Sequence, residues 1–537
     1  MFLKKYNTLS NPYKNILTGL LLFFVYFAAT FVKAPILFLK PRFWAEEGVV
    51  YFLQGRVIGL LETVTAMPLG YLSFPANIAG WVSAQLPLYY APYGALIVSL
   101  AIQLLIPCVV IFNRYFDGHR ARQAVFLLIP LLVFQSFETW LNSINSQFWM
   151  LLAASMILAA PRMAGGLPVT CFNFCVALLA GLSGPGSAFL APLFVIRAVL
   201  EKRIKWLLFG LAVSVGAVLV LALQQNSRAI SFPVDVFGVF ASFHLVFNNI
   251  CMRCANVVHP LLVQHGAVRW LLAMLVAAVY TFFWRRTDEN GRWLLAASMV
   301  LTALTFASML GKDMVLGYPP FFGARYLFAP AALLFGALVS SAFRRRRLEI
   351  AILVLLALNG VSSSIFYPVA GKFGGEAWRQ GVSRFHAGEG DVIYFDPGLC
   401  AFSPSAGHGG EKRFRLAKAT MDSFEFDTAT HSLKDQKFFL YRQSTTAHEW
   451  EAGAPDWQVT TLFMYGSWQY GFCRGGDTPA WSPDEAPANG KVVIKKSDIG
   501  PLEGYRFLIG FGDDFAAMLA RKDFLIIEGA ELLRAQE

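Results

Sequence analysis

Two adjacent carboxylates are the strongest candidates for chemistry. Glu46 and Glu47 lie in the stretch Pro41-Arg42-Phe43-Trp44-Ala45-Glu46-Glu47-Gly48-Val49-Val50-Tyr51-Phe52, among aromatic and apolar residues. Neighbouring residues of a helix point about 100° apart, so the two cannot serve one position. If a helix runs back to them, Glu46 lies over the apolar stripe of Val50, Leu53 and Val57, and Glu47 lies with Tyr51 and Gln54. A carboxylate held against apolar surface at a membrane interface has a raised pKa, which suits a general base. The competing reading is a solvated pair that caps a surface helix.

Other residue types are weaker signals. Glu138, in Glu138-Thr139-Trp140, is either a second site carboxylate or an interfacial anion. Asn145 and Gln147 could hydrogen-bond hydroxyls of a ligand, although amides also cap helices. His244 and His259 read better as structural histidines than as catalytic ones, and Asp313 beside Lys312 as a local ion pair. Cys251 and Cys254 form a lone CxxC with no second pair and no histidines at zinc spacing, so metal or redox chemistry there is a minority reading. Gly184-Pro185-Gly186 is a tight turn without the Gly-Lys-Ser/Thr ending of a phosphate cradle, which argues against nucleotide chemistry. No cofactor is assigned, and a divalent metal is left open.

The elements that must position these residues are membrane helices. Of the 537 residues, 56% are hydrophobic and 15% charged, against about 25% charged in soluble domains, and the mean hydropathy is +0.51. A bilayer core of about 30 Å needs about 20 helical residues. Apolar segments of that kind fill residues 15–366: one over 15–37, then 92–112, 123–140, 147–160, 168–184, 187–200, 206–224, 268–284, 293–310, 325–343 and 348–366. The intervening residues 38–91 form a first outer loop with amphipathic character, suited to lying along a membrane surface. Lys4 and Lys5 precede a long apolar run that lacks a cleavage site, which reads as an uncleaved first span.

The net charge of +11 invites a nucleic-acid partner, but its placement does not. The basic clusters at Arg114–Arg122, Arg162, Glu201–Lys205, Arg285–Arg286 and Arg344–Arg347 all fall on one side when about eleven spans start with the N-terminus inside. This topology predicts a multi-pass inner-membrane protein whose residues 367–537 form a soluble extracytoplasmic domain; the bacterial, periplasmic setting is implied by the resemblance given below. Short β-like runs such as Phe438–Tyr441 and Val459–Tyr465, punctuated by Gly, Pro, Asp and Ser, make that domain β-rich or α+β. Cys400 and Cys473 could then pair in an oxidising compartment.

An acidic pair in the first outer loop, followed closely by an aromatic residue, resembles the GT-C superfamily of integral-membrane glycosyltransferases. Other pieces are similar to its bacterial branch: Gly70-Tyr71-Leu72, Asn145-Ser146-Gln147-Phe148-Trp149, Ser183-Gly184-Pro185, Gly323-Ala324-Arg325-Tyr326, and Trp378 followed by Asp396-Pro397-Gly398. The resemblance covers about residues 15–400 as an order of short pieces. It departs at the first acidic position, often Asp in the superfamily and here Glu46, which leaves the base role open between Glu46 and Glu47. It implies an inverting transfer of a sugar from a polyprenyl-phosphate carrier to a periplasmic glycan, lipid or protein acceptor at the bilayer surface. One carboxylate would deprotonate the acceptor, and outer cations would hold the departing phosphate. Arg325, Lys312 and Arg253 are the candidates for that cation, Arg325 first because a guanidinium binds phosphate through two bonds. Tyr71, Glu138, Asn145, Gln147 and His259 are further substrate-binding candidates.

Two other functions compete. A transporter or flippase for lipid-linked glycans would bury ionisable residues in its spans and often carry an inverted repeat. Here Lys33 is the main charged residue in a span and no repeat is visible. A glycan polymerase would rely on Arg-rich outer loops more than on an early acidic pair.

Overall fold

The computed structural model describes residues 12–44, 46–57, 59–68, 71–161, 166–222, 234–309, 323–342, 347–366 and 375–387, together with the strands given below. The helices are α1 (Pro12–Lys33), α2 (Pro35–Leu39), α3 (Leu53–Val57), α4 (Leu60–Thr65), α5 (Phe74–Ala84) and α6 (Pro92–Phe112). They continue as α7 (Arg120–Leu132), α8 (Ser146–Leu158), α9 (Leu167–Leu182), α10 (Ala191–Glu201), α11 (Ile204–Ala222) and α12 (Val234–Ala241). The last six are α13 (Asn248–Val263), α14 (Gly266–Arg286), α15 (Glu289–Met309), α16 (Phe328–Ala342), α17 (Arg347–Phe366) and α18 (Glu376–His386).

Among the described residues three helices are long and apolar enough to cross a membrane: Leu88–Phe112, Ile204–Ala222 and Gly266–Arg286. Five shorter apolar helices accompany them, including Leu17–Lys33, Ser146–Leu158 and Ala324–Ser340. The chain divides into two compact units. The first comprises residues 1–39, 70–76 and 96–373, and the second comprises 40–69, 77–95 and 374–537. This differs from a linear division at residue 366, because residues 40–69 and 77–95 group with the C-terminal region.

In the first unit, several polar side chains among the apolar helices pair with one another, which suits a water-poor interior. Asn113 and Asn173 exchange reciprocal amide bonds of 3.0 and 2.8 Å. Tyr280 on α14 and Ser298 on α15 share a 2.7 Å bond, and the Ser298 hydroxyl also donates to the Pro330 carbonyl on α16. Two segments differ from the spans expected of them. The segment 123–140 stops being α-helical at Leu132, and a buried 3-10 turn, Phe134–Phe137, follows. The physical reason is Lys33. Its ammonium donates to the Leu131 carbonyl at 2.6 Å and to Ser136 Oγ at 2.5 Å, satisfying a carbonyl that a continuing helix would otherwise claim. The stretch left between the expected spans 206–224 and 268–284 is largely helical over its described residues 234–267: α12, a π-helical turn Ser242–Phe247, and α13.

In the second unit, Phe43, Phe52 and Trp378 form an aromatic cluster with ring centroids 4.8–5.9 Å apart. Trp378 is 1% exposed, and its indole N–H donates to the Leu88 carbonyl at 3.0 Å. The Gly375 N–H donates to the Lys40 carbonyl at 2.8 Å. These contacts are why the loop groups with the C-terminal segment. The strands lie here too. One sheet runs in the order β1 (Ile393–Phe395), β2 (Cys400–Phe402), β7 (Trp468–Arg474), β3 (Arg415–Ala419), β4 (Ser423–Asp427), β8 (Lys491–Lys495), with β6 (Val459–Tyr465) on β7. A second sheet orders β10 (Phe524–Glu528), β5 (Lys437–Arg442) and β9 (Tyr505–Ile509). All pairings are antiparallel, and Ala401 opposite Phe472 puts the backbones of Cys400 and Cys473 one step further along that ladder.

Candidate functional site

The candidate residues fall in both units, and each unit is described by itself. In the second unit the acidic pair enters a π-helical turn, Glu47–Phe52, rather than the regular α-helix the spacing suggests. The wider turn changes which side chains share a face. Glu47 is the buried carboxylate, 2% exposed, and Glu46 is half-buried. Tyr51 and Gln54, the residues expected beside Glu47, are buried with it, at 1% and 0% exposed. The stripe placed Glu46 over the apolar side; the structure buries its neighbour instead.

Glu47 is held by its own turn. Its Oε2 accepts the Trp44 N–H at 2.7 Å, while its N–H donates to the Trp44 carbonyl at 3.1 Å. This is the reach-back geometry of an N-terminal carboxylate, favourable because early helical N–H groups lack partners. Close packing from α5 fixes the turn further: a Cβ on Gly80 would meet the Tyr51 carbonyl oxygen at 2.2 Å, so only glycine admits the approach. Arg42, 6% exposed, stacks its guanidinium on the Trp44 ring at 4.2 Å. It is a buried cation within this unit that sequence reasoning quoted but gave no role. Its signal was an arginine five residues before a glutamate in an apolar stretch, since charges are almost never buried without partners.

In the first unit, two residues predicted separately are brought together. Glu138 follows the Phe134–Phe137 turn, and its Oε2 accepts the Arg325 backbone N–H at 2.8 Å. The Arg325 guanidinium stands 3.9 Å from the same oxygen, with side-chain exposures of 38% for Arg325 and 16% for Glu138. Burial pushes the Glu138 carboxyl above its ordinary range, and the charge and backbone N–H of Arg325 pull the other way without cancelling that rise. Arg325 sits in a 3-10 turn, Ala324–Leu327, entered through Gly323 at φ 67°, a left-handed conformation that favours glycine. Its guanidinium lies 5.0 Å from the Tyr326 ring centroid, and Tyr326 meets Phe148 edge-on at 5.6 Å.

The amides have structural work in this unit. Asn142 and Asn145 both donate to the Glu138 carbonyl, at 2.8 and 2.9 Å, so Asn145 shapes the turn that presents Glu138. Gln147 is half-buried with its Oε1 over Gly184. Trp149, in the same motif, donates to the Thr139 carbonyl at 2.9 Å. The Phe134–Phe137 turn is docked on the following helices. The Phe134 N–H donates to Asn249 Oδ1 at 2.9 Å, and the Gln135 amide donates to the His244 carbonyl. His244 and His259 are buried against Phe240 and Phe243, with ring centroids 4.9 and 4.8 Å apart. Tyr71 is half-buried ahead of α5. Lys312, Asp313 and Gly70 lie outside the described residues, as does the side chain of Arg253 on α13. Among the described residues no three His, Cys, Asp or Glu side chains are grouped to hold a metal ion.

The arrangement offers two kinds of carboxylate. One, Glu47, is a buried acceptor fixed by a local turn. The other, Glu138, is tied to a partly exposed arginine that can also hold an anion. No protein-family model matches this sequence, and neither a characterised protein nor a solved structure matches it.

Proposed function

We propose that the chain is a polytopic membrane glycosyltransferase resembling the GT-C superfamily. In this reading the chain has about eleven spans and a periplasmic, β-rich C-terminal domain, and it acts at the outer face of a bacterial inner membrane. The donor is a polyprenyl-phosphate-linked sugar, and the acceptor a periplasmic glycan, lipid or protein hydroxyl. The observation that carries the proposal is Glu47, buried to 2% exposure just past the first helix and held by the Trp44 N–H at 2.7 Å.

The acceptor oxygen attacks the anomeric carbon as Glu47 takes its proton. The bond from that carbon to the phosphate oxygen breaks, and polyprenyl phosphate leaves with the electron pair, inverting the anomeric centre. Phosphate is already a good leaving group and needs a cation rather than a second carboxylic acid, unlike glycoside hydrolysis. Arg325 is the cation candidate from the sequence motif, and its 38% side-chain exposure, 3.9 Å from Glu138, supports its availability to an anion.

The test begins with deletion of the protein and mass measurement of the envelope glycan, lipid or glycoprotein unit that disappears. Complementation with Glu46→Gln and Glu47→Gln, each checked for normal membrane insertion, then assigns the base. Restoration of the missing unit by both variants would remove the mechanism.

A further inference from the structure

Cys251 and Cys254 are joined in a disulfide whose Cα atoms are 5.3 Å apart. The pair lies on α13, and the helix is interrupted at Cys251, whose backbone is extended at φ −155°, ψ 88°. Residues three apart on a regular helix keep their Cβ atoms about 5–6 Å apart, whereas a disulfide needs about 3.5–4.5 Å. The break is how α13 closes that gap. Cys254 is exposed and Cys251 half-buried. The Cys254 N–H points at Cys251 Sγ from 3.3 Å, a donor placed to stabilise a thiolate on Cys251.

The residues on either side of this break hold the Glu138 turn. Asn249 accepts the Phe134 N–H at 2.9 Å. Met252 shares a buried cluster with Phe134, Phe137 and Ala324, the last two being the chain neighbours of Glu138 and Arg325. The Met252 N–H is itself bound to Asn359 Oδ1 at 3.2 Å.

We propose that Cys251–Cys254 is a thiol-exchange site, addressed by a dithiol reductant, that sets how firmly the Glu138–Arg325 pair is held. A thiolate of the reductant attacks the exposed Cys254 Sγ. A mixed disulfide forms there, the Cys251–Cys254 bond breaks, and Cys251 leaves as the thiolate beside the Cys254 N–H. The reductant's second thiolate then attacks its own mixed-disulfide sulfur and releases Cys254. Two electrons pass to the protein, the reductant becomes a disulfide, and its two thiol protons end on the cysteines through water. Once reduced, α13 can regularise through Cys251, which loosens Asn249 and Met252 from the Phe134–Phe137 turn. None of this depends on the transferase reading.

The test uses the full chain in native membranes, with dithiothreitol at graded ratios to its oxidised form, followed by alkylation with a membrane-impermeant maleimide and peptide mass spectrometry. Cys251 and Cys254 should be unreactive at first and should become labelled together without denaturant. Cys251→Ser should trap a mixed disulfide on Cys254 with an aromatic disulfide reagent. Hydrogen exchange over residues 133–138 should rise several-fold on reduction, and Cys251→Ser/Cys254→Ser should show the same rise with no reductant. Labelling before reduction, or a bond that survives dithiothreitol until the protein is denatured, overturns the exchange site. Unchanged exchange over 133–138 in both the reduced chain and the double variant overturns the coupling.

Discussion

Glu47 and Glu138 each accept a backbone N–H, yet they are made in opposite ways. Glu47 reaches three residues back to Trp44, so its position is fixed within a single turn. Glu138 binds the N–H of Arg325, 187 residues away, and depends on the packing of the Phe134–Phe137 and Ala324–Leu327 turns. The local site is bonded within its own stretch, against which Gly80 and Trp378 pack. The distant one needs Lys33, Asn145, Asn249 and Met252 in their places. A locally built carboxylate is suited to a task demanding one fixed geometry. A carboxylate assembled from separate turns is suited to a partner that is held and released.

Five substitutions test that contrast, the largest effect first. Glu47→Gln keeps an acceptor for the Trp44 N–H but cannot take a proton, so transfer should fall by about 10²–10⁴, the usual contribution of general-base catalysis. Glu46→Gln should cost less than about tenfold. If the two losses come out reversed in a single-turnover assay, the half-buried residue is the base. Trp378→Ala should destabilise the second unit by about 3–5 kcal/mol, the cost of emptying a buried aromatic site. A thermal melt of detergent-solubilised protein that does not move would show the Phe43–Phe52–Trp378 cluster to be dispensable.

Arg325→Ala should barely alter stability, because an ion pair with 38% side-chain exposure on the arginine contributes at most about 1 kcal/mol. Donor KM should nonetheless rise about ten- to a hundred-fold, the equivalent of about 1.5–3 kcal/mol for a charge-assisted hydrogen bond. A fall in kcat with unchanged KM would instead place the guanidinium at the transition state. The smallest effect belongs to Glu138→Gln. The Glu138 carboxyl is raised by burial, so its ionisation is harder in the folded chain than in the unfolded one. Its favourable contribution is complete below the ordinary glutamate range and is lost as pH rises through the folded-state value. Glu138→Gln should therefore melt at or slightly above the wild type at neutral pH, and that advantage should vanish as pH falls toward about 4. An advantage that grows in acid would contradict the burial argument.

Residue types and their order already marked the helical, apolar class and the stretch that carries Glu47, because hydrophobic length and local turns are short-range properties. Asn145 and Arg325 were legible as candidates from their motifs, but not their relation: one shapes the turn that the other's backbone binds. The stripe through Val50, Leu53 and Val57 set Glu46 over the apolar side and left the two carboxylates unranked, because a 3.6-residue period does not describe the π-helical turn Glu47–Phe52 in which Glu47 is buried. The 123–140 segment reads as one span, although Pro130 and the polar residues Gln135, Ser136 and Glu138 within it are local signals of a break. What no local signal shows is that Lys33, 98 residues earlier in the chain, bonds the Leu131 carbonyl at that break.

By itself the sequence determined where apolar segments lie, which loops are basic, and that an acidic pair follows the first helix. Each of these is encoded in consecutive residues. Tertiary structure decided which glutamate is buried, that Glu138 meets Arg325, that most of residues 40–95 group with Trp378, and that Cys251 and Cys254 are bonded across a break in α13. Such outcomes depend on which distant group supplies a missing hydrogen-bond partner or fills a packing gap, and a linear pattern does not contain that choice.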